Sequence, residues 1–75
     1  MTPPEFLAAV AEAFGPYAKS PDNPKGANSY YVEGAAKPYV VMFSENDEPC
    51  EFATAEEAVR KAQQLKVAQD SQPHL

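Results

Sequence analysis

Seventy-five residues with a formal net charge of −5 make one small domain and leave no room for a second. The six Lys and Arg residues are scattered rather than clustered, so a phosphate backbone is not an expected partner. The longest mainly apolar stretch, from Phe6 to Phe14, carries Glu12 and is far too short to span a bilayer, so no membrane association is expected.

The chain opens on a helix signal. Thr2-Pro3-Pro4-Glu5 reads as a capping box, with Pro suited to the first helical position and Met1 and Phe6 spaced as a hydrophobic staple. Phe6, Leu7, Val10, Ala13 and Phe14 recur at helical spacing on one expected face, and Gly15-Pro16 stops the helix. Residues 16–29, rich in Pro and small polar side chains, form a loop that is long for so small a domain, with Tyr17 pinning its start.

Three short strands are predicted next: Tyr30 to Glu33, Tyr39 to Ser44 and Cys50 to Phe52. Gly34 to Pro38 reads as the first hairpin connection and Glu45 to Pro49 as the second. Thr54-Ala55-Glu56-Glu57 is a second expected capping box. It opens a helix whose apolar face is Ala55, Ala58, Val59, Ala62 and Leu65. Glu56–Arg60 and Glu57–Lys61 are i,i+4 pairs in the favourable order, and fraying is expected near Val67. The expected architecture is α+β, in the order α-β-β-β-α: a three-stranded antiparallel meander packed against two helices. The domain is expected to span residues 1–69, followed by a disordered C-terminal tail, residues 70–75.

Catalytic equipment is not expected. The only histidine, His74, falls in the tail, and Cys50 has no cationic neighbour in sequence to activate it. No Cys/His spacing suits zinc, and the acids at 45, 47, 48 and 51 lack the calcium-loop pattern. With three glycines there is no phosphate-cradling loop, so no cofactor and no metal are expected. Lone Cys50 cannot form an internal disulfide, and no charged segment leads into an apolar run at the N-terminus. A cytoplasmic setting is therefore the expectation.

The strand Tyr39-Val40-Val41-Met42-Phe43 is apolar on both faces, whereas a strand with one solvated face alternates. If Glu33 pairs with Tyr39 and Phe43 with Cys50, then Tyr31, Tyr39, Val41, Phe43, Cys50 and Phe52 share one face. Tyr30, Val32, Val40, Met42 and Glu51 share the other. The heavier first set is expected to meet the helices, unless one helix packs on each side. The second set is then left outward as a partner-binding surface. Glu45, Asp47, Glu48 and Glu51 add an acidic turn suited to a basic protein.

The expected function is thus a small non-enzymatic protein-binding module. Its size and charge suit an inhibitor or adaptor, for example a mobile-element antagonist such as an anti-CRISPR. The alternatives are a structural homodimer that completes its core through the same sheet face, and an accessory subunit. Leu, Val and Phe make up only 13 of 75 residues and Ile is absent, a core small enough for association to supply missing burial.

Overall fold

The computed structural model describes residues 1–72. Helix α1 spans Pro3–Phe14, followed by a 3₁₀ turn at Gly15–Tyr17. Strands β1 (Asn28–Tyr31), β2 (Tyr39–Met42) and β3 (Cys50–Phe52) precede helix α2 (Ala55–Asp70). The sheet is an antiparallel meander in the order β1-β2-β3. The α-β-β-β-α order read from the sequence is the observed one.

Both arms of the first capping box form. The Glu5 amide donates to Thr2 Oγ1 at 3.3 Å, and the Thr2 amide donates to Glu5 Oε1 at 3.0 Å. The backbone bond from Thr2 is the main cause that holds the Glu5 carboxyl below its ordinary pKa. At the second helix only one arm forms, from the Glu57 amide to Thr54 Oγ1 at 3.3 Å. The expected Glu56–Arg60 and Glu57–Lys61 pairs are also not made among the described residues; the ion pair present is Lys66–Asp70 at 2.7 Å. Exposed pairs gain little against the entropy of fixing two long side chains, so helical spacing alone does not bring them together.

Both helices lie on the same face of the sheet. Phe6, Val10 and Phe14 from α1, and Ala55, Ala58 and Ala62 from α2, form one buried cluster with Val41 and Ala27. The alanine-rich contact face of α2, with Val59 and Leu65 at its margins, lets its backbone approach both the sheet and α1 closely. Each fully buried Phe or Val contributes about 1.5–3 kcal/mol. Aromatic contacts extend the cluster in two directions: Phe6 meets Tyr39 edge-on at 5.0 Å, and Phe43 lies 6.1 Å from Phe14 and 5.6 Å from Tyr17. Two of the expected apolar contacts are weaker. Leu7 remains 38% exposed and Met1 is exposed, which leaves the expected staple with little burial on its Met1 side.

The register differs from expectation at both hairpins, each time by two residues. Tyr39 pairs with Tyr31 rather than Glu33, and Cys50 with Val41 rather than Phe43. Glu33 is drawn out of the strand by a turn closed by the Ala35 amide on the Val32 carbonyl at 3.3 Å, with Gly34 at φ +85°. That turn needs positive φ at its third residue, which glycine supplies. Phe43 leaves the ladder to pack against the rings of Phe14 and Tyr17. Because the side-chain period of a strand is two, a two-residue displacement leaves every residue on its expected face.

The loop at 18–27 is folded back on itself. Lys19 and Ala27 exchange their main-chain groups with each other and with Tyr17: the Lys19 amide donates to the Ala27 carbonyl, and the Ala27 amide to the Tyr17 carbonyl, each at 2.7 Å. Asn23 Nδ2 donates to the carbonyls of Tyr17 and Ala18. A Cβ on Gly26 would sit 2.3 Å from Asn23 Nδ2, so only glycine fits this crossing.

Helix α2 runs three residues past Val67, and Asp70, expected at the start of a disordered tail, ends it in a clasp. The Tyr17 hydroxyl and Lys66 Nζ both donate to the Asp70 carboxylate. The rest of the expected tail, Pro73 to Leu75 with His74, lies outside the described residues. The Lys66 hydrogen bond, then that of Tyr17, holds the Asp70 carboxyl below its ordinary pKa. The Asp70 bond holds the Tyr17 phenol above its own. A lowered carboxylate pKa adds stability that is present above the ordinary value and lost as pH falls through the lowered one. A raised phenol pKa adds stability that is present below the ordinary value and lost as pH rises through the raised one. The clasp is therefore closed at neutral pH and opens at both extremes. Asp70→Asn is expected to bring the Tyr17 ionisation back down toward the ordinary phenol value, read by near-ultraviolet absorbance titration. An unchanged titration would show that the clasp does not form in solution.

Candidate interaction surface

With both helices on one side, the opposite face of the sheet carries no helix. Residues with even numbers on β1 and β2 point to it, together with Glu51 on β3. Tyr30 pairs with Val40, and Val40 with Glu51, so these three form a row across the sheet. Asn28 and Met42 form the next row. Beyond the strand end, the Val32 amide donates to the Pro38 carbonyl at 2.9 Å, which carries the ladder one residue further.

The expected surface residues do not all stand equally. Tyr30 and Val32 are each 40% exposed, and Met42 is half-buried. Val40 is only 1% exposed, which corrects its assignment as a partner-contacting residue. It occupies the central strand, flanked by Tyr30 and Glu51, and it is a packed floor beneath the surface rather than part of it. Its burial is separate from the main cluster under the helices.

Glu45, Asp47, Glu48 and Glu51 are all exposed. Glu51 lies on the outward face itself, whereas Glu45, Asp47 and Glu48 belong to the β2–β3 turn that follows Met42. The turn is closed by the Asp47 amide on the Ser44 carbonyl at 3.1 Å, and it is tied to the loop by the Glu45 amide on the Lys25 carbonyl at 3.3 Å. None of these acids forms an ion pair among the described residues. The three turn acids are unpaired among the described residues and gathered at one end of the open face, and Glu51 stands in its middle row, so the surface combines an apolar patch with acidic side chains.

The structure offers little that would hold a small molecule. Three hollows are shallow and open: two of about 200 Å³, one along α2 between Phe52 and Gln64 and one between α1 and the start of β1, and a larger one of about 370 Å³ on α2 lined by Arg60, Gln63, Gln64, Val67 and Ala68. Cys50 is half-buried against the core and unpaired. No group of three or more His, Cys, Asp or Glu side chains among the described residues is placed to hold a metal ion. No described helix is long and apolar enough to cross a membrane.

Sequence reading missed the outward edge of β1. Its signal was faint: Tyr30, Tyr31 and Val32 are three consecutive large apolar residues, and each is at least 36% exposed. A run of this kind cannot bury both of its faces at the margin of a sheet covered on one side. The clasp between Tyr17 and Asp70 had no local signal, because 53 residues separate the partners. No family model, no curated protein and no solved structure matches this chain.

Proposed function

We propose that this chain is a non-enzymatic protein-binding module of the cytoplasm, an inhibitor or adaptor, which engages a basic protein through the open sheet face and the acidic turn. The observation that carries the reading is the placement of both helices on one face, which leaves Tyr30 and Val32 exposed, with Glu51 in the row of Tyr30 and the acidic turn at the other end of the face from Val32. Exposed tyrosine and aliphatic side chains rimmed by charge have the composition of protein interfaces. A mobile-element antagonist of a host system, such as an anti-CRISPR, is one form it would take. That narrower identification rests on size and charge alone.

The test compares three immobilised proteins for retention of a partner from the native cell extract: the natural chain, Tyr30→Thr/Val32→Thr, and Asp47→Lys/Glu48→Lys. A specific partner is expected on the natural chain. Its retention should fall about tenfold or more on the first variant, as for interface residues near a buried centre. On the second it should fall with a weakened salt dependence. Equal retention by all three proteins would exclude this surface.

A further inference from the structure

We propose that two copies of this chain associate through the free edge of β1, pairing antiparallel about a two-fold axis at Tyr31 to form one continuous six-stranded sheet. The phase of the ladder identifies what the edge presents. The Val32 amide bonds to Pro38 on β2, so Asn28, Tyr30 and Val32 turn their main-chain groups inward, and Ser29 and Tyr31 turn theirs outward. Ala27 confirms the phase, since its amide and carbonyl bond outward to Tyr17 and Lys19. Among the described residues nothing bonds to the outward amides and carbonyls of Ser29 and Tyr31. The edge has none of the usual protections against pairing: β1 contains no Pro and no Lys, and its backbone is regular through Asn28–Tyr31.

The register follows from what already occupies this edge. The segment around Ala18 runs beside Ala27 and fills the first position, so an added strand has room only from Ser29 onward. A second β1 runs extended only as far as Val32, because Glu33 and Gly34 turn the chain away from the sheet. Val32 turns inward and must face another inward-turned residue, and Tyr30 is the first of these with room beside it, so the symmetry axis falls at Tyr31. Tyr31 then lies opposite its own copy on the helical side. On the open side, Tyr30 lies opposite Val32, and by symmetry Val32 lies opposite Tyr30. All three of these side chains are at least 36% exposed in the single chain, and this one register brings them into lateral contact across the seam.

Charge agrees with the same register. Lys19 lines the hollow beside Asn28 and Ser29, and it makes no ion pair among the described residues; neither does Glu33. The pairing brings Glu33 of each copy next to Lys19 of the other, twice by symmetry. Self-association through the edge does not require a partner on the open face, and it would join two such faces into one.

Sedimentation equilibrium of the full chain, from micromolar to near-millimolar concentration, tests this. A reversible species of twice the 8.1 kDa chain mass is expected. Tyr31→Pro removes an outward amide that bonds nothing within the chain, and it should raise the dimer dissociation constant about tenfold or more. Lys19→Glu and Glu33→Lys should each raise it about fivefold, and the double variant should restore it. The double variant also guards against a fold defect in Tyr31→Pro, since it changes only exposed charges. A chain that stays monomeric throughout overturns the proposal. So does a dimer that is indifferent to Tyr31→Pro and to the charge reversals but is dispersed by Met42→Asp, which would place the contact on the sheet face.

Discussion

Phe14→Ala is expected to lower the unfolding free energy by about 3–5 kcal/mol, the usual cost of deleting a buried aromatic ring. Phe14 is fully buried and is the last residue of α1. There it joins the helix to Phe43, just past the end of β2, and to the residues that α2 brings in. A domain of this length has roughly 4–11 kcal/mol in total, so about a quarter or more of its stability depends on this ring. The thermal midpoint should fall by more than about 15 °C. Circular dichroism during heating and urea titration both read the change. A fall of less than about 1 kcal/mol would show that the α1–α2–sheet cluster does not form as described.

Val40→Asp is expected to unfold the chain, whereas Tyr30→Thr, on the same face and directly opposite, is expected to shift stability by no more than about 1 kcal/mol. The contrast follows from exposure: Val40 is 1% exposed and Tyr30 is 40% exposed. A carboxylate at Val40 would be buried without a cationic partner and would stand beside Glu51 on the neighbouring strand. The penalty for such an unpaired charge is several kcal/mol. Chemical denaturation of both variants measures the difference. If Val40→Asp folds as stably as Tyr30→Thr, the floor beneath the open face is not packed.

The element order and the assignment of side chains to faces were legible because they depend on period and punctuation. Thr2, Glu5 and Gly15 mark α1, Thr54 marks the start of α2, and alternation along Tyr39 to Phe43 separates the two faces. Register was not legible to the residue. It is decided by competition between the ladder and two outside claims on the chain: the turn that takes Glu33 and Gly34, and the aromatic contact that takes Phe43. Neither appears in local pattern. The choice between one helix on each face and two on one face was also open in the sequence. It is settled by Ala55, Ala58 and Ala62, whose small side chains let α2 fit beside α1 instead of opposite it. The open face was visible as a list of residues but not as a surface. Alternation says which way Val40 points, and only the neighbouring strands show that Tyr30 and Glu51 close over it.

One face of this sheet carries no helix, and Tyr30 and Val32 stand exposed on it. Attenuation of side-chain nuclear magnetic resonance signals by a soluble paramagnetic agent, in dilute solution, tests it most directly. Tyr30 and Val32 are expected to be attenuated to an extent approaching that of Val67, which lies exposed on α2, while Val41 and Ala58 keep their full intensity. Protection of Tyr30 and Val32 to the level of Val41 would contradict the account, because it would mean that the chain covers this face itself.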